Sequence, residues 1–347
     1  MTSLVEQYRA AGSLIDQWSR VLLLTHERPD GDALGCLIGL SRMLRAAGKD
    51  VTAVCFGAPG PRYAKLVTSA ELTIQPEDSF EVALSTQHSA LNTQFDGTII
   101  VDTCALSQLT PAADFLKSKA VPIVAIDHHA TRDDIADCAV IDPSASASSL
   151  QVLELAETMG WPIDLETAAA LFTGIATDTG WFRFSNTDAR TLQAAARLVE
   201  CGVQPHELYQ TYYMSDGPAR SRLLGATLSQ LELHAEDRVA VLCMTPDLLQ
   251  RCGATRADAE DLVGEPMRIG TVEASVLLSS LDAGVIKVSL RSKRFVNCAS
   301  LAAEFGGGGH ERAAGVRIKS DLQSVKELIL TAVKKQLPST EATGGSA

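Results

Sequence analysis

The sequence predicts an α/β protein of two domains: an N-terminal parallel sheet flanked by helices, then a smaller α/β domain. Three observations carry this. Short continuous apolar runs alternate with helical patterns in the first half, as parallel βαβ units require. After Leu223 the order changes to short helices and paired strands, with a turn at Leu281–Gly284. The length, 347 residues, exceeds what one ordinary core accommodates.

In order, an amphipathic helix is expected near the N-terminus, within Met1–Trp18, with no signal-peptide core. Val21–Leu24 is a buried strand followed by His26, Asp30 and Asp32 around the turn formers Pro29 and Gly31. Ala33–Ala47 has helical apolar spacing at Leu34, Leu37, Ile38, Leu40 and Leu44, and Gly48 closes it in the left-handed conformation. Val51–Phe56 is a second strand, followed by a loop at Gly57–Pro61; residues 62–94 show no clear period. Phe95–Thr103 is a third strand with Asp102 at its end, and Asp114–Lys119 a short helix. The fourth strand, Val121–His129, finishes in Asp127, His128 and His129. Right-handed crossovers gather these strand ends on one edge of one sheet.

Helices follow at Ser149–Met159, with possible caps in the serine-rich run Ser144–Ser149, and at Leu165–Thr177, leading to Asp178. Asp188–Cys201 and Pro205–Tyr213 are two more. The pattern sets a first domain at 1–195, a connector at 196–222 with its preferred break in Met214–Arg222, and a second domain at 223–338. The second domain reads as a helix from Leu223 into Glu232, a strand Val239–Met244, and helices Pro246–Cys252 and Arg256–Val263. Strands Ser275–Ser280 and Val285–Leu290, a helix Asn297–Phe305, four glycines at 306–309, a strand Ala314–Lys319 and a helix Leu322–Leu337 complete it. The Ser-, Thr- and Gly-rich tail 339–347 is expected to be disordered.

With 46% apolar and 21% charged residues the chain is globular in composition. Its net charge of −12 repels phosphate backbones and argues against coating of long nucleic acid, while leaving room for a local anion pocket. Eight cysteines without a C-x-x-C pair speak against zinc ribbons and disulfide frameworks, and suit a reducing cytoplasm. No apolar run is long enough to span a bilayer, so no membrane partner is expected.

His26, Asp30, Asp32, Asp102, His128 and Asp178 together supply four carboxylates and two imidazoles. A lone aspartate at a strand end is ordinarily a cap or turn residue; recurrence at several such places points to a metal site. Clustered carboxylates cannot all stay ionised without counter-ions, and two divalent cations would balance their charge. Carboxylate-rich, thiolate-free ligation favours manganese or magnesium, and two such ions are a known means of activating water against a phosphoester. His129 adjoins a ligand and suits a phosphate oxygen or the leaving group.

In the second domain, consecutive glycines either bring backbone N–H groups close to an anion or form a hinge or tight turn. Arg291, Lys293, Arg294 and His310 form a basic cluster in an acidic chain; Arg291 suits bidentate phosphate binding, whereas Lys293 and Arg294 fit a solvated strand end. Arg183, five residues after Asp178, fits either a substrate contact or a structural ion pair.

His26-x-x-x-Asp30-Gly31-Asp32-Ala33, Asp102, Asp127-His128-His129 and Asp178-Thr179-Gly180 resemble the four successive motifs of the DHH phosphoesterase superfamily. Gly306–His310 followed by Ala313-Ala314-Gly315 resembles the DHHA1-type substrate-binding domain of one branch, with the nanoRNase/pAp-phosphatase members the nearest match, over roughly residues 15–330. The resemblance implies an active site in the cleft between the domains. It implies one manganese on His26, Asp30 and Asp102, and a second on Asp32, Asp102, His128 and Asp178, with magnesium as the substitute. Asp127 would orient His128, and His129 would face the scissile phosphate. Arg291, Ser292, Asn297, Gly307, Gly308, Gly309 and His310 would contact substrate. The implied reactions are hydrolysis of very short oligonucleotides to mononucleotides and of the nucleoside bisphosphate 3′-phosphoadenosine 5′-phosphate to AMP; the resemblance is also compatible with a homodimer. The stretch Ala130-Thr131-Arg132-Asp133-Asp134 departs from the branch's usual turn after the two histidines, without touching an expected ligand. Two other readings remain at this stage: a phosphodiesterase for cyclic di-AMP or its linear dinucleotide, and a metal-bound nucleotide sensor without catalysis.

Overall fold

Successive side chains of the strand Arg20–Thr25 (β1) turn to opposite faces, and both faces are buried. Val21 and Leu23 join one apolar cluster, Leu22 and Leu24 another. The computed structural model that shows this describes residues 3–68, 70, 72–75, 80 and 95–338; the tail 339–347, for which disorder is expected, lies outside them. β1 is central in a six-stranded sheet with Asp50–Phe56 (β2), Leu72–Gln75 (β3), Gly97–Val101 (β4), Ile123–Asp127 (β5) and Cys138–Ile141 (β6). The order is β3-β2-β1-β4-β5-β6 and every pairing is parallel. Strand order reverses between β1 and β4, the place where open α/β sheets receive ligands at their carboxyl ends. β3 and β6 are edge strands of four residues, too short to show a period, and the sequence predicts neither.

The helix after β1 spans Gly31–Ala46 and starts earlier than its apolar spacing suggests. Asp30 is its N-cap, and Oδ1 accepts from the amides of Asp32 (3.0 Å) and Ala33 (3.1 Å). Its partner is the helix Leu165–Asp178, which approaches so closely that a Cβ on Gly35 would lie 2.6 Å from the Ala170 carbonyl oxygen.

The chain forms two compact units, Met1–Ser215 and Asp216–Ala347. The helix Pro205–Tyr213 belongs to the first, where Tyr212 is buried, and Pro218–Leu228 to the second. The second unit is a sheet of Glu232–His234 (β7), Val239–Met244 (β8), Ala274–Asp282 (β9), Val285–Ser292 (β10), Gly308–His310 (β11) and Ala313–Ile318 (β12), in the order β11-β12-β10-β9-β8-β7. β8 and β9 pair in parallel; the other pairings are antiparallel. Val276 and Leu278 face a cluster completed by Val325, Ile329 and Val333 of the helix Leu322–Gln336, while Leu277 faces Leu223 and Leu248 on the other side. Two helices differ from expectation. The helix predicted into Glu232 ends at Leu228, and the one at Arg256–Val263 is replaced by 3-10 turns at Ala257–Ala259 and Leu262–Arg268. In the second turn Pro266 removes an N–H that a regular helix would need.

Candidate metal centre

Because β1, β4 and β5 run in parallel, the residues at their ends meet. His26 follows β1, Asp102 follows β4, and Asp127 closes β5 ahead of His128 and His129. The paired helices bring Asp30 and Asp32 at one N-terminus, and Asp178 at the other's C-terminus, to the same place. Three overlapping sets have ligand-capable atoms within 4.8 Å of one another: His26, Asp30 and Asp102; Asp102, His128 and His129; and Asp32, His128 and Asp178. All six side chains expected to hold metal are therefore brought together, with His129 beside them.

The geometry suits cations. His26 donates Nδ1–H to the Glu27 carbonyl (2.8 Å) and His128 donates Nδ1–H to the Ala145 carbonyl (3.2 Å), leaving each Nε2 to carry a lone pair. Those nitrogens face carboxylate oxygens: His26 lies 3.4 Å from Asp102 Oδ2, and His128 lies 3.6 Å from both Asp102 Oδ1 and Asp178 Oδ2. Lone pairs turned toward one another across such gaps fit a positive ion between them. Asp102 is buried and sits in the left-handed backbone region, φ 60°, a conformation aspartate tolerates better than most residues. Burial, reinforced by Asp32, Asp30 and Asp178, pushes its carboxyl well above the ordinary 3.8. Burial and then Asp32 and Asp30 do the same to Asp178. Carboxylates that resist ionisation as a group are those that divalent counter-ions would release.

Asp127 does not orient His128, as the resemblance implies. Its Oδ1 accepts from the backbone N–H (3.0 Å) and from Nδ1 (2.7 Å) of His129, and the Ala145 carbonyl takes the role at His128. Asp127 Oδ2 is buried with no hydrogen-bond partner among the described residues. Burial pulls the His129 imidazole down, but the bond to Asp127 and the surrounding carboxylates outweigh it and hold its pKa above the ordinary 6.5.

Sequence reasoning misses Ser148 and Ser149. Serines precede the helix Ser148–Met159, yet its N-cap is Ala147, without a side-chain cap. The exposed amides of its first turn are met by a carboxylate from another helix: Ser148 N donates to Asp32 Oδ2 (2.6 Å) and Ser149 N to Asp32 Oδ1 (2.9 Å). Ser148 Oγ donates to Asp102 Oδ1 (3.0 Å), so one residue fixes two of the carboxylates. Gly174 makes room for them: a Cβ there would overlap the Ser149 hydroxyl and lie 2.7 Å from Asp32 Oδ1. Arg183 turns its Nε to the Gly180 carbonyl (2.7 Å).

In the second unit Arg291, Ala313 and His310 occupy one register row across β10, β12 and β11. Arg291 Nη1 donates to the Leu290 carbonyl (3.2 Å) and Nη2 lies 3.7 Å from Asp261. Ser292 and Asn297 have structural tasks: the Ser292 hydroxyl donates to the Val296 carbonyl (2.6 Å), and the Asn297 side chain caps the helix Cys298–Ala303. The expectation that the glycines offer their N–H groups to an anion fails at Gly306 and Gly307. Those amides donate to Ala303 and Ala302. Gly308 and Gly309 form an edge strand on β12, so close that a Cβ on Gly309 would lie 2.6 Å from the Ala313 carbonyl oxygen.

Residues 20–175 match the DHH family, N-terminal domain, and residues 237–338 match the DHHA1 domain. A bifunctional oligoribonuclease and PAP phosphatase NrnA of Thermus thermophilus is 32% identical over 320 residues, covering 91% of this chain and 90% of that protein. The chain belongs to the DHH family. It is a phosphoric ester hydrolase in which the DHH domain is followed along the chain by a DHHA1 domain. A cyclic-di-AMP phosphodiesterase GdpP of Geobacillus thermodenitrificans is 28% identical over 322 residues, covering 89% of this chain but 46% of that protein. The crystal structure of an exopolyphosphatase-related protein from Bacteroides fragilis superposes with a TM-score of 0.88 at 25% identity, covering 95% of this chain and 96% of that one. Among the described residues no helix is long and apolar enough to cross a membrane.

Proposed function

We propose that this DHH phosphoesterase cleaves very short oligoribonucleotides to mononucleotides and removes the 3′-phosphate of 3′-phosphoadenosine 5′-phosphate, using two divalent ions, manganese before magnesium. His26, Asp30 and Asp102 would hold one ion; Asp32, Asp102, His128 and Asp178 the other. The observation that carries the reading is Asp102, a buried carboxylate with one oxygen toward His26 and the other toward His128. Bound there, the ions would acidify a water molecule and offset charge on the phosphate oxygens.

The chain's own groups supply the rest. The Ser148 and Ser149 amides hold Asp32, and Ser148 Oγ holds Asp102, so the carboxylates need no rearrangement when substrate arrives. His129, fixed through Nδ1 by its hydrogen bond to Asp127, leaves its Nε2 to donate a proton to the leaving oxygen. Arg291 and His310, in one row of the second sheet, would take a further phosphate or the sugar edge, with Gly308 and Gly309 beside them. Asn297 and Ser292 would support that row through their backbone fixing. A net charge of −12 favours short substrates, because long strands bind through many phosphate contacts.

The cyclic-di-AMP phosphodiesterase relatives favour a second reading, cleavage of a cyclic dinucleotide, with the same catalytic groups. A panel with manganese separates the two: a linear dinucleotide, a pentanucleotide, a long single strand, cyclic di-AMP and the bisphosphate. Fastest turnover of the linear short substrates and the bisphosphate is expected. Preference for the cyclic dinucleotide would favour the second reading, and nucleotide binding without turnover would favour a sensor.

A further inference from the structure

Immediately after Asp178 the chain makes a turn that costs free energy. Gly180, Trp181 and Phe182 have φ values of 55°, 58° and 63°, three successive residues in the left-handed region, two of them bulky. The turn is tied down at many points. Trp181 N donates to the Ala176 carbonyl (2.6 Å), the amides of Arg183 and Phe184 donate to the Thr179 carbonyl (both 3.0 Å), and Phe182 N donates to Thr179 Oγ1 (3.2 Å). The Trp181 indole is wedged edge-on against Tyr209 and Tyr213, with ring centroids 5.0 and 5.6 Å away.

What this rigid turn presents outward is one apolar ring. Phe184 is 56% exposed, and its tip lies over Gly180, where a Cβ would overlap it. A scattered exposed phenylalanine is ordinary; one held on a strained, fully anchored backbone beside a metal-capable aspartate is not. Gly180 is two residues from Asp178, so their Cα atoms lie within about 7 Å. The ring tip therefore sits over a residue two positions along the chain from Asp178. Pre-ordering the ring lowers the entropy lost when a flat ligand settles on it.

We propose that Phe184 is a stacking face for a nucleobase of the substrate, a contact that distinguishes nucleotides from other phosphoesters. The proposal rests on the functional reading above. Stacking on an aromatic ring tolerates any base, so it would confer selectivity for nucleotides without selecting a sequence.

The test compares wild type, Phe184→Ala and Phe184→Tyr on a linear dinucleotide and on its abasic analogue, with sizing chromatography and manganese binding measured on each. In Phe184→Ala the preference for the base-bearing dinucleotide, read as the ratio of KM values, is expected to fall about tenfold. Phe184→Tyr is expected to restore it, with manganese binding and sizing as in wild type. An unchanged ratio in Phe184→Ala overturns the proposal, as does an equal loss on both substrates, which would mark a structural role. A shift in oligomeric state also overturns it and would mark a self-association surface. A wild type that turns over neither substrate overturns the functional reading and this inference together, an outcome distinct from an active wild type with an indifferent variant.

Discussion

At the residue scale, the centre depends on carboxylates packed closer than their charges allow. Asp102 shows the consequence, because its Oδ1 meets both a Ser148 hydroxyl and the His128 ring. Ser148→Ala removes that hydrogen bond while leaving the amide bond to Asp32. We expect manganese affinity to fall about tenfold, with little change in the metal-free melting temperature; titration of metal into both proteins checks it. A carboxyl raised in the folded state binds its proton more tightly there than in the unfolded chain, so Asp102 and Asp178 make the metal-free protein less stable as pH rises from about 3.8 through their raised values. His129 acts in the same direction: its raised pKa adds stability below 6.5, and that contribution fades as pH climbs past the raised value. Asp96, held down to about 2 by Arg20, is already ionised above pH 5 and adds no slope. Metal binding has the opposite sign, since its ligands must be deprotonated. Between about pH 5 and 8, the melting temperature in chelator is expected to fall while the increment gained on adding manganese grows. A metal-free melting temperature that rises across that range would contradict the charge crowding.

At the element scale, the site is a product of close helix packing. The helices Gly31–Ala46 and Leu165–Asp178 approach through glycines, and Gly174 leaves the space in which Asp32 meets the Ser148 and Ser149 amides. Gly174→Ala is expected to cost about 1–3 kcal/mol of stability and to lower manganese affinity as well, because the added methyl displaces Asp32. Denaturation and metal titration of the same variant test both effects. The elements differ in how legible they are. β1, β4 and β5 are buried on both faces and carry unbroken apolar runs, so their ends and the side chains there can be placed from sequence. β3 and β6, at the sheet edges, leave no such trace. The support of Asp32 and His128 is illegible for a different reason: it comes from backbone amides at Ser148 and Ser149 and the carbonyl of Ala145, groups every residue carries. An alanine N-cap without a side-chain acceptor is the one local sign that those amides are satisfied from elsewhere. The exchange of His128 for His129 as the partner of Asp127 likewise depends on ring orientations that adjacent positions in the sequence do not determine.

At the scale of the whole molecule, a chain with a net charge of −12 that hydrolyses phosphoesters must neutralise its own acidity where the substrate binds. The parallel sheet first adds to that acidity, gathering four aspartates and two histidines up to 152 positions apart, from His26 to Asp178, near the reversal between β1 and β4, so the neutralising charge would have to come from bound cations. In the second sheet, where Arg291 and His310 share one row, sequence alone misleads in part. Gly307 and Gly309 look like an anion cradle in one dimension, but close strand and helix contacts explain them in three. On the proposed reading these six side chains would hold two divalent ions and share Asp102 between them. Native mass spectrometry of the manganese-loaded protein tests it most directly, with Asp102→Asn beside wild type. Two ions per chain are expected in wild type, with none retained by the variant and turnover reduced at least about a hundredfold. An active wild type that carries no ions, or an Asp102→Asn protein that still holds two, would contradict it.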